Sequence, residues 1–364
     1  MPDFIPGLEL SRRFYIELVR PLLDRHFAGL PHAAALIGSG SEVLGFDTAL
    51  SMDHAWCPRL LLFLPQAQAA QAEPIREMLA RDLPHEFLGF PLDTVAVPGE
   101  PGVFHMKPGM AGPVDHQVVS VTLRSFIREI LNWDPSQPLT AADWLSIPAQ
   151  LLRTITAGAI YFDNAGELTA LRAQLAWYPP DVWLYLLAAG WQRIGQAEHL
   201  MPRAGSAGDE LGSTLIGSTL VHDLMSLCFL MEKQYAPYPK WFGSAFRQLA
   251  CAAHLTPALR RAQLAETWQE RQAALCEAYT QLARLHNALG LTDPLPEQVS
   301  GFHGRPFKVI HAEAFAQALQ AHITDPEVQA IAAKGLIGGI DQFSDSTDLR
   351  SHPSWRPAVR QLYG

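Results

Sequence analysis

Two short polar clusters carry the chemistry that this chain can offer. Gly38, Ser39, Gly40 and Ser41 follow an apolar run ending at Ile37, and Asp53 comes after a spacer formed by residues 40–52. Glycines let a backbone approach a ligand closely, and the amides of such a turn, with two hydroxyls, can hold a triphosphate. Asp53 offers the hard oxygen that magnesium prefers. If residues 53 and 55 lay on one strand, side-chain alternation would turn both to the same face, so an acid at 55 would share a metal with Asp53. Position 55 is Ala55, which ligates nothing. Taken alone, a Gly/Ser tetrapeptide after an apolar strand is more often a turn than a phosphate site.

The longer pattern is more specific. Ile37, Gly38, Ser39, the spacer and Asp53 resemble the nucleotidyltransferase superfamily signature, which continues with a second acid two residues on. Ser51, Asp53, His54, Trp56, Pro58 and Arg59, followed by the apolar residues 60–64, resemble a bacterial family within that superfamily, the domain of unknown function 4037 family, which usually reads Asp-His-Asp-Trp-Gly-Pro-Arg here. The resemblance extends through WLSIPAQLL from Trp144, TAGAIYFDNAGELTALR from Thr156, LAWYPPDVWLYLLAAGWQRIGQ from Leu175, GDELGS from Gly208, YAPYPKWFGSAF from Tyr235, RPFKVIHAEAF from Arg305 and IDQFSDSTD from Ile340. It thus covers nearly the whole chain, with departures at Ala55, at Cys57 and at His222, where Arg is more usual. Loss of the acid at 55 fits either natural degeneration or a replacement that inactivates an enzyme.

That family is distantly related to aminoglycoside nucleotidyltransferases, in which an amino-terminal catalytic domain precedes helices that help build the acceptor site. The resemblance implies an α+β fold: a nucleotidyltransferase-type small mixed sheet with helices over residues 1–138, then an all-α domain over 139–364. It implies nucleotide binding by Gly38 and Ser39, extended to Gly40 and Ser41, metal binding by Asp53, and an organising role for Arg59 at the phosphates or under the strand. With an acid at 55, the expected reaction is transfer of a nucleoside monophosphate from an NTP to a hydroxyl or amine of a small-molecule acceptor, with Mg2+ and release of pyrophosphate. With Ala55 the expected activity is weak or absent. A catalytically silent nucleotide-binding protein and a scaffold without nucleotide affinity are the alternatives.

Further polar groups could join such a site. Asp115, before an alternating strand at residues 116–123, is a candidate third carboxylate or base, although a strand-start role is the commoner one for such a residue. Asp163, in YFDNAGEL, has the same ambiguity, because Asp-Asn-Ala-Gly is also good turn chemistry. Lys240 in YAPYPKWFG could reach a triphosphate as a point charge or lie along Trp241. Arg203, Asp209 and Glu210 in MPRAGSAGDELGS could serve phosphate, acceptor or base catalysis, or Asp209 could cap a helix.

The elements that must position these residues follow from periodicity. Helices are expected over residues 14–27 and 74–83, the latter with Ile75, Met78, Leu79 and Leu83 on one face. Strands are expected at 33–37 and 58–64. The Pro/Gly-rich residues 98–113 read as irregular. From about residue 140 helices dominate, with one expected over 262–289 on the Leu264, Trp268, Leu275, Tyr279, Leu282 and Leu289 stripe, ended by Gly290 and carrying a structural His286.

Composition sets the outer bounds. With 364 residues, about two domains are expected. A net charge of −9 argues against a broad nucleic-acid surface, which needs clustered Lys and Arg. The four cysteines, Cys57, Cys228, Cys251 and Cys276, form neither a zinc pattern nor a redox pair. No leader and no apolar stretch of bilayer length is read, which makes the cytoplasm the expected compartment without membrane attachment. An apolar-rich chain of this size could form a homodimer.

Overall fold

The computed structural model describes residues 3–53, 56–99, 103–109 and 111–364, with residue 53 described in its backbone alone. The chain forms two compact units: one from Met1–Pro138 and Leu151–Ala176, the other from Leu139–Gln150 and Trp177–Gly364. The fold class is α+β, a small mixed sheet with helices in the first unit and a predominantly helical second unit.

In the first unit, four strands lie in the order β3-β2-β1-β4, with β1 at Ala33–Leu36, β2 at Arg59–Phe63, β3 at Gln117–Val121 and β4 at Ala159–Asp163. β1 is antiparallel to both β2 and β4, whereas β2 and β3 run parallel. All four residues of β1 are buried, as expected for an apolar strand with a partner on each side. Helix Ala72–Asp82 contributes Ile75, Met78 and Leu79 to a core shared with Leu10, Phe14, Leu60 and Leu62.

The amino-terminal helix starts earlier than expected. It runs as Gly7–Phe14, a π-helical Tyr15–Val19 and Arg20–His26. Pro21 explains the widened turn, because its ring crowds the carbonyl four residues back and it has no N–H to donate. β4 is a strand that the turn reading of YFDNAGEL missed, although its AIYFD run is β-branched and aromatic. The 98–113 region also contains a regular element among its described residues, since Phe104–Met106 pairs antiparallel with Thr94–Ala96.

The second unit is built on long helices. Pro180–Ala197 is buried from Val182 through Trp191 without interruption, so it lacks a polar stripe over that stretch. The helix expected over 262–289 is two helices, Ala252–Leu264 and Trp268–Ala288. Thr267 caps the second, its hydroxyl accepting from the Glu270 N–H while the Glu270 carboxylate accepts from the Thr267 N–H. Leu264, placed on the buried stripe by periodicity, is 69% exposed. His286 is buried, accepting from the Trp191 indole at 3.2 Å, and has the structural role expected for it. Helix Glu210–Met231, 22 residues with mean hydropathy 1.5 in its most apolar window, is long and apolar enough to cross a bilayer, which corrects the expectation that no segment is; half of that window is buried inside the protein.

Candidate functional site

The turn after β1 is built from positive-φ glycines and braced by an ion pair. Gly38 has φ +97° and Gly40 φ +138°, values that L side chains rarely adopt. A Cβ at Gly40 would meet the Arg59 guanidinium at 2.4 Å and the Glu42 carboxylate at 2.6 Å. Arg59, at the start of β2, donates through Nε to Glu42 Oε1 at 2.8 Å and through its other arm to the Ser39 carbonyl. Glu42 is 4% exposed in its side chain and Arg59 19%, so the pair forms the floor of the turn.

Other bonds hold the same segment. The Gly38 N–H donates to the Thr154 carbonyl at 2.8 Å, and Phe46 N–H donates to the Ser41 carbonyl at 2.8 Å. Asp47 accepts from the Gly7 N–H at 2.7 Å and from the Trp56 indole at 3.2 Å, tying the loop before β2 to the start of the amino-terminal helix and to Trp56. The Ser39 side chain is exposed, with Gly40 and Ser41 half-buried. The turn thus combines two positive-φ glycines with an exposed Ser39, while the Arg59–Glu42 pair fills the space beside Gly40. One sequence assignment narrows: the Gly38 amide already has an acceptor.

Asp53 ends a 3-10 segment, Ala49–Asp53, and does not lie on a strand. The alternation that would aim residues 53 and 55 at one face therefore does not apply at 53, since β2 begins only at Arg59. The Asp53 side chain and all of Ala55 lie outside the described residues. Among the described residues there is no group of three or more His, Cys, Asp or Glu able to hold a metal ion. The Cys57 thiol is buried and its pKa pushed up to about 12 by desolvation, with Arg59 opposing weakly, which keeps it a protonated core group.

Asp115 precedes β3, exposed, and serves through its backbone. Its N–H donates to Asp93 Oδ1 at 3.0 Å and its carbonyl accepts from Thr94. Asp93 is the buried acid of this region, 1% exposed and 2.6 Å from His85 Nδ1, and sequence reading passed over it. Glu42 and Asp47 were missed for the same reason: their importance comes from long-range partners, and nothing local marks it. Asp163 caps a turn, accepting from the Gly166 N–H and from both polar groups of Thr169.

The remaining candidates belong to the helical unit. Asp209 is the N-cap of Glu210–Met231, accepting from the Gly212 N–H at 2.7 Å. Glu210 accepts from the Trp268 N–H and pairs with buried Arg271 at 3.3 Å. Lys240 Nζ lies 4.9 Å from the Trp241 ring centroid, a cation–π contact. Arg203 is an exposed residue of helix Leu200–Ser206.

No curated protein matches this chain. A crystal structure of a nucleotidyltransferase-like protein from Exiguobacterium sibiricum 255-15 is similar at 14% identity and a TM-score of 0.30, over 78% of this chain and 77% of that one. The family model for a domain of unknown function (DUF4037) matches residues 144–242.

Proposed function

We propose that the sheet-containing unit binds a nucleoside triphosphate at the turn formed by Gly38, Ser39, Gly40 and Ser41, and that Ala55 leaves nucleotidyl transfer to a hydroxyl or amine impaired. The observation that supports this most is the turn itself: two glycines at left-handed φ directly after a buried strand, with the Ser39 side chain exposed and a braced guanidinium beneath. Arg59 acts as the brace of the turn. Its guanidinium is committed to Glu42 and to the Ser39 carbonyl, so it shapes the loop that meets the phosphates.

Among the described residues no group of three or more His, Cys, Asp or Glu could hold a metal ion. Magnesium would arrive on the triphosphate, as this ion usually binds through one or two carboxylates plus substrate phosphates. Asp53 is the residue of this chain proposed to meet it. The missing acid at 55 equally supports a second reading, a nucleotide-binding protein without turnover.

Calorimetric titration of the four NTPs, with and without magnesium, into the protein and into Ala55→Asp tests both. The expected result is binding by both forms, strengthened by magnesium only in Ala55→Asp. Pyrophosphate release by that variant with an acceptor panel would favour the transferase. Binding by neither folded protein would sink the nucleotide reading altogether.

A further inference from the structure

Two segments singled out in the sequence, YAPYPKWFG and IDQFSDSTD, meet in the helical unit. Pro237, Pro239 and Phe242 from the first, with Asp341 and the residues to Asp345 from the second, line a cleft of about 560 Å³. An apolar chamber of about 60 Å³ adjoins it, walled by Trp144, Trp177, Tyr178, Phe229 and Tyr235. Cleft and chamber share His222, Phe242, Asp341, Gln342 and Arg350, which form the boundary common to both. His222 stacks on Phe242 with ring centroids 5.0 Å apart, forming an aromatic wall at the junction.

The junction contains a buried polar atom that the protein does not satisfy. Asp341 Oδ2 accepts from the Ala149 N–H at 2.7 Å, and Oδ1 faces the Arg350 guanidinium. Arg350 Nη2 pairs with that Oδ1 as an ion pair at 3.1 Å, and Arg350 Nε is unpartnered although buried. Buried polar atoms are nearly always paired, and each exception calls for an explanation. Here an acceptor and a donor stand side by side with their opposite charges already paired. Their complement is a neutral group that donates and accepts along one edge. A carboxylate head would meet the Asp341 oxygen, and an ammonium would meet the Arg350 cation.

We propose that this cleft is a binding site for a small neutral molecule carrying a primary carboxamide, with the amide edge against Asp341 and Arg350 and a short apolar group in the aromatic chamber. The chamber volume fits a group of about four carbon atoms, well below the roughly 150 Å³ that accepts benzene. The body of a larger ligand would extend into the cleft beside His222 and Phe242. This inference stands apart from the nucleotide reading, since every residue it uses belongs to the helical unit.

The test uses three isosteric probes on the whole protein: 3-methylbutanamide, 3-methylbutanoate and 3-methylbutylammonium. Trp144 and Trp177 line the chamber, so tryptophan fluorescence reads its filling, and calorimetry reads the affinity. Saturable binding of the amide in the millimolar range is expected, at least tenfold tighter than either charged probe. Ser226→Leu, which fills the chamber from the helix Glu210–Met231, should abolish amide binding while leaving the melting temperature close to that of the parent; Ala236→Val serves as a second filler should the first not fold. Equal binding of a charged probe, retained amide binding in a folded filled variant, or no saturable binding at tens of millimolar would each overturn the proposal.

Discussion

Arg59 shows how one side chain can belong to a motif and still work through the fold. The sequence allowed it two roles, at the phosphates or under the strand, and the geometry places it beneath the glycine turn with Glu42 and the Ser39 carbonyl as partners. Removing one member of such a buried pair strands the other charge, which costs more than the pair itself contributes. Glu42→Ala is therefore expected to lower unfolding free energy by about 3 kcal/mol, because Arg59 loses its anion in a largely buried setting. Arg59→Lys keeps the charge but not the forked geometry that serves two acceptors at once, and a smaller loss of about 1–2 kcal/mol is expected. Urea denaturation of both variants checks the order. Equal stability of Glu42→Ala and the parent would show that the pair does not brace the turn.

At the scale of elements, legibility tracked how local the determining interaction was. Helix Ala72–Asp82 could be read because its apolar positions recur at helical spacing, and β1 and β2 because their apolar runs are bounded by turn residues. The break at residues 265–267 was written in Thr267 and Glu270 as a capping box, yet the apolar stripe running across it masked the signal. β4 was hidden differently: the turn chemistry of Asp163 to Gly166 was correct, and it drew attention from the strand just before it. The Glu42, Asp47 and Asp93 contacts could not be read at all, since each depends on partners remote in sequence or on burial.

Another such contact gives a pH-dependent prediction. Helix Pro180–Ala197 ends at buried Glu198, whose carboxylate accepts from the Ile310 and Ala312 N–H groups at 2.6 and 3.0 Å. These bonds straddle His311, a non-glycine residue held at φ +59° just before helix Ala312–Ala321. Burial pushes the Glu198 pKa up to about 7, with the two N–H bonds opposing. The folded state thus binds this proton more tightly than the unfolded chain, so the contribution is full below about pH 4.5 and is lost as pH rises through 7, amounting to about 3 kcal/mol. His286 works oppositely: burial lowers its pKa to about 4, so its contribution is full above pH 6.5 and falls away in acid. Buried His32 and half-buried His116, also lowered by desolvation, act in the same direction as His286, so the Glu198 contribution is read from the difference between the parent and a Glu198 variant. Calorimetric melting is expected to show Glu198→Gln gaining stability relative to the parent as pH rises from 4.5 to 8. An unchanged slope in the variant would assign the effect elsewhere.

The chain as a whole is threaded in a way that a single domain boundary does not describe. Residues 1–138 were expected to form the catalytic domain alone, but the sheet takes β4 from Ala159–Asp163, and the first unit includes Leu151–Ala176. Removing everything after Pro138 would leave β1 unpaired on one side, expose an all-buried edge strand and take the Thr154 carbonyl from the Gly38 N–H. It would also remove Gly158, whose own N–H donates to the Val43 carbonyl and whose position lies so close to Leu36 that a Cβ there would fall 2.1 Å from the Leu36 carbonyl oxygen. The glycine turn would then lose its support from the 154–158 segment while retaining Arg59. A polypeptide of residues 1–138 is therefore expected to aggregate or to melt without a cooperative transition, and one of residues 1–176 to regain cooperativity because all four strands are present. Parallel thermal melts followed by circular dichroism decide it. A sharp, reversible transition in the shorter polypeptide would mean that three strands suffice and that β4 is an addition to a sheet already complete.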